Sequence, residues 1–147
     1  MLNVQSDFIS IEVECTDWKD VVDKGLAIFE EKEYVTSKYK EAIFKSFEEY
    51  GPYMVIAPSI LLLHARPEDG VIKTGLGIMV LKNPINFGSE LNDPVKLVFT
   101  LSSKDNTSHT TLLANLMKLL INKEYLDKVI NANKVKDILD ILKKVDL

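Results

Sequence analysis

Cysteine occurs once in this 147-residue chain, at Cys15, which excludes a disulfide framework and any zinc site built from several thiolates. Its place at the end of a strand-like run, with no histidine near it in sequence, gives it the role of a small apolar filler. Histidine occurs twice, as His64 and His109, and no H-x-x-x-H or H-E-x-x-H spacing accompanies either. Arginine occurs once, as Arg66. There is no excess of basic residues. The 18 lysines and arginines are outnumbered by 22 acidic residues for a net charge of −4, which argues against a nucleic-acid binder. The longest apolar runs, around Ile60–Leu63 and Ile78–Leu81, are far too short to span a bilayer. Residues 1–14 lack the basic start and apolar stretch of a secretory signal, so the expected location is the cytoplasm. Gly75-Leu76-Gly77 lacks the third glycine of a nucleotide-binding loop, and no G-x-S-x-G elbow is present.

What is there is a globular composition. With 46% hydrophobic residues and a small net charge, the chain has enough apolar surface to escape disorder. Its length predicts one domain over residues 1–147, burying about two-thirds of the surface of the unfolded chain. Phe8–Glu14 alternates large apolar with mostly polar residues, the period of a half-buried strand. Thr16 and Asp17 offer caps for a helix carrying Trp18, Val21, Val22, Leu26 and Phe29, which ends within Glu30–Glu33. Thr36 or Ser37 caps a second helix through Tyr39, Ala42, Ile43, Phe44 and Phe47, stopped by Gly51-Pro52.

The middle is strand-rich. Tyr53–Ala57, Ile60–Leu63, Gly75–Leu81 and Val95–Leu101 read as strands, with turn signals at Pro67–Gly70, Asn83-Pro84 and Asn92–Pro94. In the last third, Asn106, Thr107 or Ser108 is expected to cap a leucine-rich helix, followed by amphipathic helices over Glu124–Ile130 and Val135–Val145. Helices at both ends of a strand-rich middle predict an α/β sandwich, with a mixed sheet of about four to five strands.

The two histidines fall at junctions, His64 where an apolar run enters a Pro/Gly loop and His109 in the first turn of a helix. Functional groups gather at such places in α/β proteins. Spacing alone leaves two readings open, a shared site or two unrelated surface or capping histidines. Arg66, two residues after His64, is either a solvated charge or a contributor to an anion site there.

Gly51-Pro52-Tyr53-Met54-Val55-Ile56-Ala57-Pro58, followed by His64-Ala65-Arg66-Pro67-Glu68-Asp69-Gly70-Val71, closely resembles enzyme IIA of the sugar phosphotransferase system, in its fructose–mannitol superfamily. Asn83-Pro84 with Phe87-Gly88, Asn92-Asp93-Pro94-Val95 and Ser108-His109 continue the match over nearly the whole chain, and the motifs look most like the ascorbate-type branch. The resemblance implies a cytoplasmic phosphocarrier. A histidine at the position of His64 accepts a phosphoryl group on its tele nitrogen from phosphohistidine on the carrier HPr. It then passes the group to a cysteine of the cognate enzyme IIB, which works with the membrane component IIC. A histidine matching His109 stabilises the phosphoryl group, and no cofactor or metal is required; with no arginine in the second helix, Arg66 is expected to serve as the auxiliary cation. Helix-terminal N–H groups near residues 108–111 are expected to complete the cradle, and the other ring nitrogen of His64 to donate to a carbonyl or carboxylate. The alternative within the same superfamily is a regulatory protein-binding module, phosphorylated or degenerate, that feeds no transporter. Three positions depart from the family pattern. Leu63 stands where proline usually precedes the active histidine, Ser59 where glycine is common, and the second helix has Lys45 and Ser46 where mannitol-type members carry an arginine.

Overall fold

The computed structural model describes residues 3–147. After a 3-10 turn at Ser6–Phe8 come β1 (Ile9–Val13), α1 (Trp18–Glu31), α2 (Ser37–Tyr50), β2 (Val55–Ala57), β3 (Ile60–Leu63), a second 3-10 turn (Pro67–Asp69), β4 (Gly75–Ile85) and β5 (Val95–Ser102). The chain closes with α3 (Asn106–Leu120), α4 (Lys123–Ile130) and α5 (Val135–Lys144). The five strands form one mixed sheet in the order β1-β4-β5-β3-β2. β1 pairs with β4 and β3 with β5 in parallel, whereas β4–β5 and β2–β3 are antiparallel.

The sheet has a helical layer on each face, which is the predicted sandwich. Side chains alternate across the pleat. Leu61 and Leu63 of β3 and Val98 of β5 therefore pack with Val22, Leu26, Phe29, Tyr39 and Ile43 of α1 and α2. Ile60, Leu62, Phe99 and Leu101 face the opposite way, toward Leu112, Leu116, Leu119, Ile138 and Leu142 of the C-terminal helices. All four residues of β3 are buried, as are seven of the eight in β5. Strands covered on both faces read as apolar runs rather than alternating ones, as Ile60–Leu63 does, whereas β5 keeps Lys96, Thr100 and Ser102 among its apolar residues.

Two local expectations are corrected. Asn83-Pro84 is not a turn but lies inside β4. Between the pairs Val80↔Leu97 and Ile85↔Val95, β4 advances five residues while β5 advances two, so Lys82, Asn83 and Pro84 bulge outward, exposed. A bulge residue has no ladder bond to make, so the missing N–H of Pro84 costs nothing there. The cap of α3 is Asp105, whose carboxylate accepts the Ser108 N–H at 2.7 Å, rather than Asn106, Thr107 or Ser108. Ser59, between β2 and β3, holds a left-handed backbone at φ 66°, a conformation that L side chains adopt at a cost.

The loop after β3 is tied to the start of α2. Thr36 donates its N–H to the Gly70 carbonyl at 2.8 Å, and Val35 bridges Val71. Gly70 has φ 111°, and a Cβ there would stand 2.3 Å from Thr36 Oγ1. Only glycine meets both the dihedral and the close approach.

Candidate functional site

β3 and β5 run side by side and leave the sheet at the same end, beyond the pair Leu63↔Thr100. His64 follows β3 directly, and His109 lies in the first turn of the helix that follows β5. This topology brings together two residues far apart in the chain. Their ring centroids are 6.4 Å apart with the planes inclined by 38°. Both side chains line a cleft of about 580 Å³, together with Lys45, Ser46 and Tyr50 of α2, Tyr53, Arg66 and Asn106.

His64 is partly buried, and its Nδ1 lies 2.8 Å from the carbonyl oxygen of Leu62. A carbonyl only accepts, so Nδ1 carries the proton, and the lone pair of the neutral ring is on Nε2. Burial holds the pKa of His64 below the ordinary 6.5; the Leu62 hydrogen bond opposes that shift, and the neighbouring His109 adds to it. The ring is therefore neutral at physiological pH, the form that can act as a nucleophile. Nδ1 of His109 faces Ser103 Oγ at 3.5 Å, and Ser103 is itself buried.

Arg66 lies on the same wall but is already engaged. Its Nε and Nη2 donate to the two oxygens of Asp69 at 3.3 and 3.4 Å, and Glu68 is 3.6 Å from Nε. These carboxylates raise its already high pKa further, the hydrogen-bonded Asp69 most of all. The expected cradle of N–H groups at residues 108–111 is corrected at its first two members. The Ser108 N–H is taken by the Asp105 carboxylate, and the His109 N–H by the Asp105 carbonyl at 3.1 Å. An anion at that helix start would meet the Asp105 charge rather than free donors.

The aromatic rim of the cleft escaped the sequence reading. Tyr50 and Tyr53 are exposed, their rings 6.1 Å apart edge to face, and Tyr53 stands edge-on to His64 at 6.4 Å. Two tyrosines flanking a Gly-Pro stop are the only local signal for such a rim. Cys15 does not line the cleft; it packs partly buried against the core cluster that holds α1 and α2, and burial raises its thiol pKa. Among the described residues, no helix is long and apolar enough to cross a membrane.

Comparison with known proteins bears on the family and the fold. The chain is 31% identical over 139 residues to the ascorbate-specific PTS system EIIA component of Shigella flexneri, covering 94% of this chain and 90% of that protein. Its fold matches the solution structure of the mannitol-specific cryptic phosphotransferase enzyme IIA of Escherichia coli with a TM-score of 0.87 and 31% identity, covering 97% and 96% of the two chains. It also matches, at 18% identity and a TM-score of 0.83, the fold in the Escherichia coli complex of mannitol enzyme IIA with phosphorylated mannitol enzyme IIB, covering 96% and 97% of the chains. The family model of the phosphoenolpyruvate-dependent sugar phosphotransferase system, EIIA 2, matches residues 3–145, and the chain belongs to that family.

Proposed function

We propose that this chain is a cytoplasmic phosphocarrier in which His64 Nε2 accepts a phosphoryl group from phosphohistidine on HPr and delivers it to a cysteine of an ascorbate-type enzyme IIB. The observation that carries the reading is the pairing of His64 with the Leu62 carbonyl at one wall of a cleft that His109 shares. The family membership and the ascorbate-specific relative support the role, and the mannitol complex supports an enzyme IIB as acceptor.

The chemistry follows from the tautomer. Nε2 attacks the phosphorus, and its bond to the donor nitrogen breaks as the new N–P bond forms. The Nδ1 proton stays on the ring, which becomes positive on phosphorylation, and the Leu62 carbonyl stabilises that charge. The donor imidazole leaves neutral, so no proton crosses the interface. Such a transfer asks the protein chiefly for position and for neutralisation of the phosphoryl oxygens. His109 supplies an N–H to one of those oxygens, and Arg66 contributes a cation from the rim. In the second step a thiolate of enzyme IIB attacks the same phosphorus, and His64 returns to its neutral form.

Incubation with enzyme I, HPr and phosphoenolpyruvate tests the reading. Intact-protein mass spectrometry is expected to show the gain of one phosphoryl group in the wild type and none in His64→Ala. Discharge on adding an ascorbate-type enzyme IIB is the second expected result. A wild-type chain that stays unmodified beside active phospho-HPr overturns the proposal.

A further inference from the structure

We infer that the hydroxyl of Tyr39 is a positioning group of the His64 site, replacing one rung of the β3–β5 ladder and setting how far the two histidine-bearing segments splay. The inference rests on the phosphocarrier reading for its functional consequence, but its structural part stands on the hydrogen bonds alone.

Tyr39 lies in α2 with no solvent exposure. Its hydroxyl accepts the N–H of Ala65, the residue after His64, at 2.9 Å and donates to the carbonyl of Leu101 in β5 at 2.6 Å. The register of the ladder makes this pair informative. Leu63 opposes Thr100, so in a parallel pair the next rung would run from the Ala65 N–H to the Leu101 carbonyl. The tyrosine oxygen stands between those two groups. It keeps the rung bonded but lengthens it by one oxygen atom, so the chain departs from the sheet at His64 without leaving a buried N–H or carbonyl unpaired.

One side chain thus joins α2, the His64 segment and the strand that leads into the His109 helix. Removing the hydroxyl leaves the Ala65 N–H and the Leu101 carbonyl two options. They close into a direct rung, which draws the residue after His64 toward β5, or they remain apart and unsatisfied. The first moves His64 relative to His109, and the second frees the His64 segment from its tether to α2 and β5. Burial pushes the Tyr39 pKa up to about 12, so the oxygen keeps its proton and both bonds persist through the physiological range.

Tyr39→Phe tests the inference, because it keeps the ring in the core and deletes only the oxygen. The expected result has two parts. In the unphosphorylated protein, the imidazole nitrogen resonances of His64 and the ring contacts between His64 and His109 change in NMR spectra. With phospho-HPr, kcat for transfer falls by about tenfold or more while KM is retained, as for a misplaced reacting group. Phe47→Leu, elsewhere on α2, is the control for destabilisation and is expected to change neither readout. Wild-type imidazole spectra and transfer in Tyr39→Phe overturn the inference, as does an equal loss in Phe47→Leu. If Tyr39→Phe does not fold, 3-fluorotyrosine placed at position 39 replaces it. Its fluorine resonance is expected to shift as His64 is protonated, and a resonance that stays still overturns the inference. The NMR arms need no phosphorylation, so failure of the carrier reading is seen separately, as a wild-type chain that takes no phosphoryl group.

Discussion

His64 Nδ1 donates to the carbonyl of Leu62, two residues back in its own chain, and so the end of β3 fixes the tautomer of the ring that follows it and leaves the lone pair on Nε2. The partner is backbone, which no side-chain substitution removes. Burial of the ring acts against this bond and wins, leaving the pKa below 6.5.

That direction fixes the pH behaviour. At pH 6.5 more than half of the rings are already neutral, so the rate of phosphoryl acceptance is expected to fall to half its plateau only at a pH below that value. An NMR titration of His64 is expected to give a midpoint under 6.5, and a midpoint above it contradicts the assignment. Stability follows the same sign. As pH falls through 6.5 the unfolded chain takes up the proton before the folded one, so His64 subtracts stability from there downward, until the folded form is protonated too.

His109→Ala is expected to slow transfer by about 10- to 100-fold, the effect of losing one donor to a charged oxygen in the transition state. The fold is expected to survive, because His109 is only partly buried. Arg66→Gln is expected to cost less in transfer than His109→Ala, since Asp69 and Glu68 already share the guanidinium. Single-turnover phosphorylation by phospho-HPr measures both, and an unchanged rate in His109→Ala removes that residue from the site.

Gly70→Ala combines a disfavoured φ with a Cβ driven into Thr36, so a loss of about 3 kcal/mol is expected in urea unfolding. Because Gly70 joins the His64 loop to the start of α2, the surviving folded protein is also expected to transfer more slowly. A stability within about 0.5 kcal/mol of wild type, the range of an inert surface change, refutes the strain argument.

Ser59 tests the same physics at the opposite end of β3. Ser59→Val is expected to lose about 1–2 kcal/mol, because a β-branched side chain fits the left-handed region poorly. Ser59→Gly is expected to lie within about 1 kcal/mol of wild type, relief of the dihedral offsetting the extra freedom of the unfolded chain. The two urea midpoints, measured together, separate backbone strain from loss of the hydroxyl.

Much of the architecture was legible in the residues. Period and caps located α1 and α2 closely, and the apolar run Ile60–Leu63 and the β-branched and aromatic residues of Val95–Leu101 marked β3 and β5. The misplaced features arise where one local chemistry fits more than one arrangement. Asp105 and the three residues after it all have side chains fit to cap α3, and only the local backbone decides which one does. Asn83-Pro84 has turn chemistry, yet a bulge accepts the same residues. Of the site, the two histidines and Arg66 were visible as chemistry, whereas Tyr39 was visible only as one more core position on α2. Periodicity marks a tyrosine as buried but says nothing of where its oxygen points.

The parallel pairing of β3 with β5 has a consequence for how the chain becomes competent. Between these neighbours the chain passes through the Arg66 loop, all of β4 and the loop over residues 86–94, so the ladder joins residues 37 positions apart. Contacts of that range form late in folding, after local helices and hairpins. No partly assembled molecule lacking this ladder holds the two imidazoles together. On the phosphocarrier reading, readiness to accept a phosphoryl group therefore reports completion of the sheet, and a nascent or damaged chain is expected to be silent toward a donor until the last strands meet.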